Sequence, residues 1–224
     1  EDYIEKAVNS ALAQTYSNIE VVVVDNSSTD STWTILNQIA KKDIRVNIYR
    51  NKTNIGPVKN WIKTVSLAKG DYGKILWADD LIDKTFLEKT INYLSEYKEV
   101  GFVITSAVIF SDSSKRLNYN LLGDTGIYLT SKFINGCLFD YRFPNSPGSA
   151  LFRLKDLRTN ILSNIPNNFN EDFSKHSIGV DRSIYLLTAL RYPKYAYVNE
   201  PLSFFREHAG GITVNSSRER MRIL

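Results

Sequence analysis

Cysteine is almost missing from this 224-residue chain: Cys137 stands alone, so no intramolecular disulfide can form, and the chain suits a reducing compartment. Long apolar runs are missing too. No segment approaches the roughly 20 apolar residues of a membrane span; the longest, Val100 to Phe110, is interrupted by Gly101, Thr105 and Ser106 and reads as a strand. An excess of charge is lacking, with 28 Lys and Arg against 24 Asp and Glu. A net charge of +4 argues against a dedicated nucleic-acid binder and is compatible with a small anionic substrate. Repeats, low-complexity tracts, a clear linker and a signal-peptide pattern are all missing. The chain begins in mid-pattern without a methionine, so a start further upstream is expected. What is present is 43% hydrophobic and 23% charged residues, enough for a full core and a soluble surface in one domain.

The first half alternates helix and strand. Ile4, Val8, Ala11 and Leu12 form a helical stripe. "IEVVVVD" is a β-branched run ending in Asp25, as expected of a strand buried on both faces of a parallel sheet. "NSSTDST" supplies turn and N-cap residues before a helix carrying Trp33, Leu36 and Ile39. "RVNIYR" reads as a strand. Pro57 opens a helix with Val58, Trp61, Ile62 and Val65, for which Gly70 is the expected stop. "YGKILWA" reads as the next strand and 84–97 as a helix. This rhythm implies βαβ units and a mainly parallel central sheet flanked by helices. After about residue 100, "VGFVITSAVIF" and "KRLNYNLL" read as longer, partly antiparallel strands, with helices at 130–140 and 180–191. We read residues 1–224 as a single α/β domain.

Ligands of open α/β sheets bind beyond the carboxyl ends of the strands. Two apolar runs end there in acids: "VVVVD" at Asp25 and "KILWADD" at Asp79 and Asp80. Adjacent carboxylates repel and are costly to desolvate, and a divalent cation removes that cost. A turn followed by an N-cap explains the same two residues without a metal.

Four ordered stretches, "ALAQTYSNIEVVVVDNSSTDST", "NKTNIGPVKNW", "GDYGKILWADDLID" and "EPLSFFREH", resemble the GT-A fold glycosyltransferases of inverting family two. The resemblance implies a donor half, residues 1–105, that binds a nucleotide-diphospho-sugar, and a half at 106–224 that binds the acceptor and carries the base. It implies donor contacts at Asp25, Asn26, Ser28, Asn60, Asp79 and Arg206. It implies a divalent metal, Mn²⁺ or Mg²⁺, on Asp79 and His208. Asp79 matches the last acid of the family's D-x-D motif, whose first acid is Trp77 here, and Asp80 braces the site. The family also opens with an apolar strand, whereas this chain starts inside the first helix. Gly148 and Ser149, in "PNSPGSALF", match the acceptor side, and Trp77, Tyr141 and Phe143 are candidates for stacking on sugars.

Inversion requires a general base on the acceptor hydroxyl. Asp181, opening the helix of "SIGVDRSIYLLTAL", matches the family's base, with the preceding acid replaced by Val180. Glu171 and Asp172 in "NEDF" compete for that role, and a helix cap is the alternative for Asp181. Near the Gly210-Gly211 turn, Arg206 and His208 suit a loop closing on a diphosphate, although a surface histidine reads the same way. His176 gets no role. The expected acceptor is a glycan or lipid-linked hydroxyl in bacterial surface polysaccharide synthesis, with no nucleic-acid partner. The expected location is cytoplasmic, with peripheral contact at the inner membrane face through the basic tail "SSRERMRIL" as an alternative to a solvated helix end. A catalytically degenerate sugar-binding or scaffold domain is the competing reading. A sugar nucleotidyltransferase would need a Gly-rich N-terminal loop, which is not seen.

Overall fold

The computed structural model describes residues 1–111, 117–119, 122–140, 143–144, 146–168, 172–175, 177 and 179–208. Tyr141, Glu171, His176, the Gly210-Gly211 turn and the basic tail lie outside the described residues.

The chain opens with α1 (Ile4–Leu12), β1 (Val21–Asp25), α2 (Thr32–Lys42) and β2 (Val46–Arg50). β1 and β2 run parallel, which sets Asp25 opposite Arg50 at their carboxyl ends. The helical stripes meet behind them: Ile4, Val8, Leu36, Ile39 and Val46 form one buried cluster. Next come α3 (Pro57–Leu67), β3 (Tyr72–Lys74), β4 (Leu81–Ile82), α4 (Phe86–Glu96) and β5 (Val100–Phe110). Gly56 enters α3 at φ +82°, a conformation that side chains with a Cβ avoid, and Pro57 then supplies the first-turn φ. α3 ends at Leu67, before the expected stop, where Glu20 accepts the Gly70 N–H at 3.0 Å.

The rest is β6 (Leu117–Tyr119), β7 (Gly126–Leu129), α5 (Thr130–Phe139), β8 (Ala150–Arg153), α6 (Leu154–Asn160), α7 (Val180–Ala189) and β9 (Lys194–Arg206), with one-turn 3₁₀ segments at Pro147–Ser149 and Phe173–Lys175. The larger sheet has the order β3-β8-β5-β9-β4, with β6 on β5 and β7 on β9. Helices cover both faces. Phe102 and Ile104 of β5 join the cluster under α3, α5, α6 and α7, while Val103 joins Phe86 and Leu94 of α4 on the other face.

The α/β class stands, but the expectation of a mainly parallel sheet is corrected. In the larger sheet only β5 and β9 pair in parallel, and the sheet is mixed. A strand covered by helices on both faces reads as a largely apolar run whichever way its neighbours point, and β5 is buried at nine successive residues, Val100 to Val108. The expected strand over 72–78 is also shorter. It leaves the sheet after Lys74, so Ile75 to Ala78 form an irregular arm leading to Asp79.

Candidate active site

Asp79 and Asp80 sit in the turn between that arm and β4. They behave differently. Asp80 is buried, at 5% exposure, and its Oδ1 accepts the backbone N–H of Arg206 at 2.8 Å. Burial pushes its carboxyl up to about 7, while the Arg206 hydrogen bond and the Lys74 ammonium pull it back. Asp79 remains part-exposed, and its Oδ2 lies 3.0 Å from His208 Nε2. Arg206 Nε donates to the Asp79 carbonyl at 3.1 Å. The end of β9 therefore lies against the paired acids, so Asp79, Arg206 and His208 come together.

A divalent cation needs oxygen or imidazole ligands, and one bound with a phosphate substrate takes only one or two of them from the protein. Asp79 Oδ2 and His208 Nε2 are close enough to share an ion. Among the described residues no group of three or more His, Cys, Asp or Glu side chains forms a cage. This donor set fits a metal that arrives with a diphosphate.

At the end of β1 the side chains are more committed than the sequence implies. Asp25 is 4% exposed, with Oδ2 at 3.0 Å from Arg50 Nε and Oδ1 accepting the Ser28 N–H at 3.1 Å. Ser28 in turn accepts from Arg50 Nη2 through its carbonyl. Asn26 Oδ1 accepts from Asn51 Nδ2 and the Ile55 N–H, and its Nδ2 donates to Asn54 Oδ1. Asn60 Nδ2 donates to the Val24 carbonyl and its Oδ1 accepts from Asn51. Asn26 and Asn60 thus brace the loop over 51–56. The same helix links the two acidic ends: Asn60 holds β1, and the neighbouring Trp61 packs on Trp77 with ring centroids 4.6 Å apart.

Gly148 and Ser149, matched to the acceptor side, are held in the interior next to the arm that carries Asp79. Both are buried, Ser149 completely. A Cβ on Gly148 would lie 2.9 Å from Phe205 Cε1 and 3.2 Å from Trp77 Nε1, so glycine here serves close packing. Ser149 Oγ is 3.3 Å from the Tyr185 hydroxyl. Phe143, expected to stack on a sugar, packs edge-on against Phe133 with centroids 5.8 Å apart. Lys74 was not singled out by the sequence. Its Nζ donates to the carbonyls of Ile75 and Gly148, and burial lowers its ammonium to about 7. The signal was a lone lysine inside an apolar run.

Asp181 is the second residue of α7, after Gly179. Its Oδ1 accepts the Arg182 N–H at 2.8 Å. Asp181 is half-buried, and desolvation where α7 enters the fold raises its carboxyl to about 6. One turn on, Tyr185 donates to the Ser146 carbonyl at 3.1 Å, and Ser146 Oγ accepts from Trp77 Nε1 at 3.2 Å. The helix of Asp181 is thereby tied to the arm that carries Asp79. Asp172 is exposed, holds the N–H and hydroxyl of Ser174, and is lowered by them.

Helices on both faces of this mixed sheet, with Asp25 at the end of β1 and Asp79 at the tip of the arm after β3, match the architecture of the GT-A nucleotide-diphospho-sugar transferase folds. Residues 1–160 match Glycosyl transferase family 2, and the chain belongs to that family. A protein of Escherichia coli named UDP-Glc:alpha-D-GlcNAc-diphosphoundecaprenol beta-1,3-glucosyltransferase WfaP is 30% identical over 225 residues, covering 99% of this chain and 78% of its own. Two further curated relatives are matched over only 30% and 38% of their own length. The fold is similar to S. aureus TarS 1-349 in complex with UDP-GlcNAc, with TM-score 0.75 and 18% identity over 97% of this chain and 58% of that one. It is also similar to the mannosyltransferase PcManGT from Pyrobaculum calidifontis in complex with GDP-Man and Mn2+, with TM-score 0.55 and 19% identity over 94% of this chain and 55% of that one.

Proposed function

We propose that this chain is the catalytic domain of a metal-dependent inverting glycosyltransferase. It moves a sugar from a nucleoside diphosphate to a hydroxyl of a glycan or lipid-linked acceptor in surface polysaccharide synthesis. The observation that carries the reading is the meeting of Asp79, His208 and Arg206 at one end of the sheet. An anionic diphosphate needs cations there, and Arg206 supplies one. Asp79 and His208 would hold the metal, which when bound offsets charge on the departing diphosphate. Asp181 takes the proton from the acceptor hydroxyl as that oxygen attacks the anomeric carbon and the bond to the diphosphate breaks. The lipid-linked acceptor is favoured by the name of the E. coli relative, which includes diphosphoundecaprenol. Among the described residues no helix is long and apolar enough to cross a membrane, so we propose peripheral contact with the acceptor's membrane.

The test is calorimetric titration of UDP and GDP, each with and without Mn²⁺. Wild type should bind one of them in a metal-dependent manner, and Asp79→Asn should lose that dependence with the fold intact. Equal, metal-independent affinity in both proteins would remove the metal site. A degenerate binding domain would instead bind the nucleotide and transfer nothing from any donor.

A further inference from the structure

Arg206 carries its charge between two aromatic rings. Its guanidinium carbon lies 4.6 Å from the Tyr3 ring centroid and 4.5 Å from the Phe110 ring centroid. The two rings come from distant parts of the chain, and each is placed by backbone structure. Phe110 ends β5 and Arg206 ends β9, and the two residues are direct partners in the parallel register. The Glu207 N–H donating to the Phe110 carbonyl at 2.8 Å closes that pair. Tyr3 immediately precedes α1, whose Ile4, Ala7 and Val8 are buried, so helix packing delivers its ring to the site. The same ring lies 5.1 Å from the His208 ring.

We propose that Tyr3 and Phe110 are positioning residues that clamp Arg206 in the place where the donor diphosphate binds. A guanidinium is planar and weakly hydrated, so rings can cover its faces at little cost. With one ring delivered by β5 and the other by the residue before α1, the guanidinium is restricted in orientation, and its Nε already donates to the Asp79 carbonyl. The clamp thereby fixes the direction of the charge before the ligand arrives, which reduces the entropy lost on binding. The inference rests on the donor-site reading above, with Arg206 as a diphosphate contact.

The experiment is calorimetric titration of UDP, or of GDP if that is the nucleotide bound, with Mn²⁺ on the full-length protein. Tyr3→Leu and Phe110→Leu should each weaken binding by about 2- to 30-fold, the range of one cation–π contact. Tyr3→Phe, which keeps the ring, should restore wild-type affinity. In an Arg206→Gln background, Tyr3→Leu should add no further loss, since the ring would then have no cation to position. A purely structural Tyr3 would give additive losses, and that result overturns the clamp. So does wild-type affinity in Tyr3→Leu alongside weak binding in Arg206→Gln, which leaves the donor-site reading intact. Wild-type affinity in Arg206→Gln removes Arg206 from the donor site, and the clamp falls with it. Should Tyr3→Leu fail to fold, the Phe110→Leu and Arg206→Gln pair makes the same test.

Discussion

As the proposed base, Asp181 would accept a proton near neutrality, and its surroundings set the pH at which it can. Burial moves its carboxyl to about 6, close to the operating range in which a general base is most effective. The rate constant kcat/KM should therefore fall below an apparent pKa near 6, as the carboxyl takes up a proton and can no longer receive one. Asp181→Asn should cut transfer by about 10²-fold or more and leave nucleotide affinity unchanged. The same shift has a consequence for stability. Between the ordinary aspartate value of 3.8 and about 6, the folded protein keeps a proton that the unfolded chain has lost, so stability falls as pH rises through that window. Asp181→Asn lacks this slope. Its Tm should exceed that of wild type at pH 7.5, with the advantage shrinking toward pH 4. A flat difference across that range, or a kcat/KM profile with no acid limb near 6, would contradict the burial of this acid. Asp172→Asn should leave the acid limb of kcat/KM unchanged.

At the scale of elements, legibility depended on how local the cause was. The strand β1 was readable because a β-branched run ends in a charge, and the start of α3 because Pro57 is placed where only a first turn accepts it. The early end of β3 was not readable. Its cause is tertiary: the Lys74 ammonium reaches across to the Gly148 carbonyl, and the Trp77 indole N–H is held by Ser146, so the arm is drawn off the sheet. β9 holds Pro201 inside its 13 residues. The ladder tolerates that proline where the register with β5 shifts, between Thr105 and Ser106 and again before Ala107. Asp25 and Asp79 were visible as acids after apolar runs, whereas Tyr3, Phe110 and Tyr185 had no local signal, since each acts through a partner far away in sequence. The packing of Gly148 gives a prediction at this scale. Gly148→Ala drives a methyl toward Phe205 and Trp77, and should cost about 1–3 kcal/mol in urea unfolding, the usual range for overpacking. A raised acceptor KM with unchanged stability would instead restore Gly148 to an acceptor groove.

Across the whole molecule, two cores support two tasks. The cluster behind β1 and β2 steadies the end of the sheet where Asp25 lies, while the large aromatic core carries the helix of Asp181. Phe102 of β5 is the hub of the second. Its ring lies 5.0 Å from Phe133, 5.7 Å from Phe152, 5.3 Å from Tyr185 and 5.6 Å from Tyr195, joining α5, β8, α7 and β9 to its own strand. Tyr185 stands one turn after Asp181 on α7, so the proposed base rests on this hub. Phe102→Leu replaces a ring making four aromatic contacts with a smaller, differently shaped group. The loss of ring contacts and the residual cavity should cost about 1–4 kcal/mol in chemical denaturation. The functional effect should be one-sided. α7 loses a support, so the base becomes less well placed and kcat falls, while Asp25, Asp79 and Arg206 rest on other contacts and nucleotide affinity stays near wild type. Steady-state kinetics and nucleotide titration on the same preparation separate the two quantities. A parallel loss of kcat and nucleotide affinity would mean that the domain responds as one unit and that the division between donor and base halves has no energetic counterpart.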